Sequence, residues 1–98
     1  MFDVVVTRHK ALVEFFRNKD LISSEAVIIE HATLEDVENK NVLGILPLRL
    51  ASYAQTVAEL EMDLSQEQRG RELTLEEVEK AAGDLMVYKV FVLERYQL

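Results

Sequence analysis

The chain has 98 residues, 49% of them hydrophobic and 30% charged, with no cysteine. A chain of this size forms one domain that buries only ~60–65% of its unfolded surface, so association with a second copy is a natural way to bury more. Eighteen acidic residues against eleven basic ones give a net charge of −7, which opposes binding to duplex DNA, RNA or anionic membranes. A disulfide framework and a thiolate zinc site are excluded, no apolar run approaches a membrane span, and a cytoplasmic setting is expected.

Phe2 to Val6 is short, β-branched and apolar apart from Asp3, the pattern of a strand buried on both faces and not that of a secretory signal. Lys10 to Asn18 carries Ala11, Leu12, Phe15 and Phe16 at helical spacing. Ala26 to Ile29 reads as a second strand. Thr33 is placed to cap a short helix through Val37. Asn41 to Leu46 reads as a third strand containing Gly44, and Pro47 suits the first position of a following helix. Leu50, Ala51, Ala54 and Val57 then predict one apolar face for a helix reaching Val57.

Glu59 to Leu64 alternates charged and apolar, as a strand with one face toward solvent or a partner does. Ser65 to Arg71 reads as a polar loop. Thr74-Leu75-Glu76-Glu77 has the form of a capping box, opening a helix expected to run through Val78, Ala82, Leu85 and Met86. Val90 to Leu93 reads as a last strand. This alternation predicts an α/β fold, a single compact Rossmann-like domain over residues 1–98 with a mostly parallel sheet and helices on both faces.

Three polar segments fall where strands give way to helices: Thr7-Arg8-His9, Gly44-Ile45-Leu46-Pro47 and Arg69-Gly70-Arg71. Ligands bind at that edge of an open sheet, because free backbone N–H groups and helix dipoles gather there. Arg8, His9, Arg69 and Arg71 are therefore expected to converge on an anion. His9 suits a general acid or base, Arg69 and Arg71 a clamp for phosphate oxygens. The competing reading makes His9 a loop filler and Thr7 a helix cap, and pairs the two arginines with Glu67, Glu72 or Glu76. His31, after the second strand, is a weaker candidate.

No dinucleotide glycine fingerprint, Walker lysine loop or nucleophile elbow is present. With two histidines and no cysteine, neither a metal centre nor another cofactor is expected. A substrate that carries its own nucleophile fits this inventory. RNA does, because its 2′-hydroxyl attacks the adjacent phosphate once the two are aligned and the charge is stabilised.

Thr7-Arg8-His9, Gly44-Ile45-Leu46-Pro47 leading into Leu50-Ala51, Arg69 to Thr74, and Tyr88-Lys89-Val90 follow one another in this order. The set resembles the small CRISPR-associated proteins of type III loci with a T-R-H, G-T-L-P, R-G-R-E-L pattern. The resemblance spans nearly the whole chain. It implies a CARF-like domain that binds a cyclic oligoadenylate messenger, and a ring nuclease activity that linearises it. Arg8, His9 and Arg71 would then serve catalysis. Thr7, Lys10, Gly44, Ile45, Leu46, Pro47, Arg49, Arg69 and Gly70 would bind the ligand, in a homodimer or a higher assembly around it. Ile45 stands where the pattern has threonine, and Lys10-Ala11 where Pro-Gly commonly follows T-R-H. A non-catalytic sensor or sponge, or a protein-interaction module, remains the alternative.

Overall fold

Val4 and Val5 are neighbours in sequence and belong to different cores. In a strand, successive side chains point to opposite faces, so a strand covered on both sides feeds two cores at once. Val4, Val42 and Val57 enter one with Val37, Leu50, Ala51 and Ala54. Val5, Leu43 and Ala58 enter the other with Ala11, Phe15, Phe16, Ile22, Leu73 and Val78. That pattern is set by register, since Val4 pairs with Val42, Val5 with Leu43, Val42 with Val57 and Leu43 with Ala58.

The computed structural model describes residues 1–98. In chain order the elements are β1 (Phe2–Val6), α1 (Lys10–Asn18), β2 (Ile22–Ile29), α2 (Leu34–Val37), β3 (Asn41–Gly44), α3 (Leu48–Ala51), β4 (Thr56–Met62), α4 (Gln66–Arg69), α5 (Leu75–Ala81) and β5 (Ala82–Tyr88). They build a five-stranded sheet in the order β2-β1-β3-β4-β5. β1 to β4 are parallel, and β5 runs antiparallel to β4. Helices α1 and α5 pack on one face, α2 and α3 on the other. The expected α/β domain with a mostly parallel, doubly covered sheet is therefore what forms.

Asp3 has a structural reason to interrupt its apolar run: its carboxylate accepts the Asn41 N–H (2.9 Å), tying β1 to the start of β3. Thr56 adds a hydroxyl bond to the Asn41 side chain (2.8 Å). Both contacts lie at the end of the sheet opposite the candidate site.

Four expectations are corrected. The helix expected over Leu48 to Val57 stops at Ala51, and β4 begins at Thr56. Leu50, Ala51, Ala54 and Val57 are all buried in one core as the spacing requires, but the backbone turns beneath them. The Asn39 N–H bonds the Tyr53 carbonyl and the Gln55 N–H bonds the Lys40 carbonyl, which swings Val57 into register with Val42. The helix opened by Thr74 ends at Ala81, not beyond Met86. Gly83 is a poor helix residue, and Ala82 to Tyr88 instead gain ladder bonds along β4, with Leu85 opposite Leu60 and Val87 opposite Ala58. The last strand thus begins at Ala82 and not at Val90, and residues 89–98 have no regular structure. Ser65 to Arg71, expected as loop, contains the single turn α4.

Candidate functional site

The strand order reverses between β1 and β3, whose neighbours lie on opposite sides. Crevices form beyond the carboxyl ends of strands at such a point. The Thr7 N–H bonds the Ile29 carbonyl (2.9 Å), extending the β1–β2 ladder by one step. The Thr7 hydroxyl then accepts the His9 N–H (3.1 Å), closing a tight turn into α1. Thr7 is therefore spent on the turn. The backbone there leaves Arg8 exposed and His9 half-buried; both line the cleft described below, and His9 Nδ1 is buried without a hydrogen-bond partner.

Gly44 closes β3 with φ +142°. A Cβ there would sit 2.3 Å from the Val6 carbonyl oxygen. The ends of β1 and β3 are thus held closer than any side chain permits. The exposed Ile45 follows, while Leu46 packs toward the core of Val4, Val42 and Val57.

The third segment is braced by two interlocked helix caps. Ser65 and Gln68 cap α4 reciprocally: the Gln68 side-chain oxygen accepts the Ser65 N–H (3.0 Å), and the Ser65 hydroxyl accepts the Gln68 N–H (3.2 Å). Thr74 and Glu77 do the same for α5 (3.0 and 3.1 Å). The Gln68 amide then donates to Glu77 Oε2 (3.0 Å), joining the two boxes. Arg71 closes the circuit with two bonds to the Glu77 carboxylate (2.9 and 2.5 Å) and one to the Glu72 carbonyl (3.1 Å). These bonds, Arg71 first, hold the Glu77 carboxyl well below the usual carboxylate range, and Glu77 in turn raises the Arg71 guanidinium above its ordinary value.

Arg71 therefore pairs with Glu77, and not with Glu67, Glu72 or Glu76 as the spacing allowed. Its guanidinium shapes the segment more than it offers itself as a free clamp. Lys80–Glu76 is the only other ion pair in the chain, which leaves Arg8 and Arg69 without carboxylate partners.

Distant in sequence, Arg8, His9, Arg69, Gly70, Arg71 and Glu72 line one cleft of about 290 Å³ with no apolar residue in its wall. The expected meeting of the first and third segments is thus realised. A second cleft of about 400 Å³ shares Arg8 and His9 and adds Gly44, Ile45, Leu60, Met62 and Leu64, with Glu30 and Glu59 also in its wall. Lys10 lies on a third, beside Thr7, Arg8 and His9. The sequence placed Leu46, Pro47 and Arg49 at the site, but none of the three lines these clefts. Leu46 faces the core, Pro47 precedes α3, and Arg49 rides exposed on that helix. His31 is exposed between β2 and α2 and lines none of them either.

Gly70 differs from Gly44. Its φ is −99° and a Cβ there meets nothing within 4 Å, so the fold does not require glycine at that position. Space over the arginine cleft is what the missing side chain leaves. Three features escaped the sequence reading: Gln68, the bracing role of Glu77, and the place in the cleft wall of Glu72, which the spacing offers only as an arginine's partner. A local signal for the first was present, because the Ser-x-x-Gln spacing of Ser65 and Gln68 is a capping-box pattern like Thr74-x-x-Glu77. Glu72 had no local signal, because its partner, the Lys10 N–H (3.3 Å), lies 62 positions away.

Charge and shape define what this edge accepts. The polar cleft offers unpaired guanidinium groups for phosphate oxygens, and the cleft beside it, half apolar with Glu30 and Glu59 in its wall, has room for a flat ring. The two meet at Arg8 and His9. No curated protein and no solved structure matches the chain. The family model described as "Putative CRISPR-associated protein (Cas_VVA1548)" matches residues 4–91, a span that takes in all three site segments. The chain belongs to this CRISPR-associated family.

Proposed function

We propose that this protein binds a cyclic oligoadenylate, with cyclic tetra-adenylate as the expected ring size, and cleaves it through the ring's own 2′-hydroxyl to end type III CRISPR signalling. The observation that carries this reading is the single cleft shared by Arg8, His9 and Arg69. Unpaired guanidinium groups there would hold phosphate oxygens, and the neighbouring, partly apolar cleft would take an adenine. The resemblance to type III proteins and the CARF-like, Rossmann-like reading of the sheet order support the same ligand class. His9 would deliver a proton to the leaving 5′-oxygen, leaving a linear product with a 2′,3′-cyclic phosphate. A homodimer would present two equal clefts to a symmetric ring across a two-fold axis.

A sensor or sponge that binds without turnover is the second reading. It is favoured by Ile45, which lacks a hydroxyl, and by the engagement of Arg71 with Glu77. Labelled cyclic tetra-adenylate incubated with the protein in EDTA separates the two. Linear product that disappears in His9→Ala, with binding retained, supports the enzyme. An intact ring after long incubation at high protein concentration, with saturable binding, leaves the sponge; no binding at all refutes both.

A further inference from the structure

We infer that Glu72 is the general base for this reaction, accepting the proton of the attacking 2′-hydroxyl; the inference rests on the cleavage reading above. Glu72 is the only carboxylate in the wall of the arginine cleft, which it shares with His9. Three guanidinium groups line the same cleft, yet none forms an ion pair with it. Its carboxylate is held elsewhere: Oε1 accepts the Lys10 N–H (3.3 Å) at the first turn of α1. That helix has no side-chain cap of its own from His9, so the distant Glu72 serves in its place. Oε2 has no protein hydrogen bond. One oxygen thus fixes the group and the other is available to a ligand.

The brace built from Gln68, Arg71 and Glu77 fixes the backbone on both sides of Glu72. A base must lie within hydrogen-bond reach of the proton it takes, in a group whose own position is fixed. In the reaction, Oε2 takes the 2′-hydroxyl proton and the 2′-oxygen bonds to the adjacent phosphorus. The bond from phosphorus to the 5′-oxygen breaks, and that oxygen takes a proton from protonated His9. Glu72 ends as the acid and His9 as the neutral imidazole, and solvent restores both. No further reactant is needed.

Glu72→Gln tests this, because a glutamine Oε1 still accepts the Lys10 N–H while the base is gone. The expected result is unchanged melting, affinity for cyclic tetra-adenylate within a few fold of wild type, and cleavage slowed ~10²–10⁴-fold. The limb of the rate–pH profile that requires the ionised base should vanish with it. Glu72→Asp should restore part of the rate. Wild-type cleavage by Glu72→Gln overturns the assignment and leaves the cleavage reading intact. Melting and affinity that fall together with the rate overturn it in favour of a helix-cap role. Absence of cleavage by the wild type overturns both readings.

Discussion

Gly44→Ala should unfold this protein within reach of ordinary temperatures. The new Cβ would lie 2.3 Å from the Val6 carbonyl oxygen and 3.1 Å from its carbon, both backbone atoms of the paired strand. A flexible side chain could swing away from such a contact, whereas a strand in the middle of the sheet cannot. A φ of +142° adds backbone strain of ~1–3 kcal/mol for any residue with a Cβ. Forcing a methyl group into a closed space adds a further ~1–3 kcal/mol. Together these amount to about 2–6 kcal/mol against a domain stability of ~5–15 kcal/mol. At ~4–8 °C per kcal/mol for a domain of this length, the thermal midpoint should fall by at least ~8 °C. Circular dichroism melts and urea titration measure the loss. Gly70→Ala is the internal control, since its φ of −99° and open surroundings predict no destabilisation. A Gly44→Ala midpoint within ~4 °C of wild type would refute the argument that the β1 and β3 ends touch.

Two further outcomes follow from charge. Glu77 and Asp36 both have depressed carboxyl pKa values, Glu77 through Arg71 and Gln68, Asp36 through the Thr33 N–H and hydroxyl. A depressed folded value means that the stabilisation is complete above the ordinary carboxylate range and is lost as pH falls below about 4.5 for Glu77 and about 3.8 for Asp36. Urea midpoints should therefore drop from about pH 5 toward about pH 3 more steeply in wild type than in Glu77→Gln/Asp36→Asn; equal slopes would count against it. Arg69→Ala and Arg71→Ala should separate in kind. Arg69→Ala should weaken cyclic oligoadenylate binding with the melt unchanged, whereas Arg71→Ala should also speed amide exchange over residues 65–77. Equal exchange in both variants would contradict the brace.

Apolar spacing and segment boundaries made much of this protein legible in advance. The β-branched run at Val4-Val5-Val6 has no stable home except a strand covered on both sides, and the Thr74–Glu77 box announces a helix start wherever it occurs. Local chemistry of this kind acts over three or four residues, so it survives into the fold. The same reasoning failed where a distant strand decided the backbone. Ala54 and Val57 are buried as their spacing demands, but pairing of Val57 with Val42 made them turn and strand. Ala82 to Met86 passed as helix until β4 offered its edge.

The candidate site divides along the same line. Short-range patterning placed Arg8 and His9 where β1 gives way to α1, as they are, and put Arg69 and Arg71 just ahead of the Thr74 helix, although Arg69 belongs to the single turn α4. Which of them remain free was settled in three dimensions: Glu77 takes Arg71, while Arg8 and Arg69 keep no carboxylate partner. Glu72 reaches the start of α1 across 62 positions, a separation no local rule spans. Hydrogen bonds are decided by ångströms between atoms, and only the folded chain fixes those.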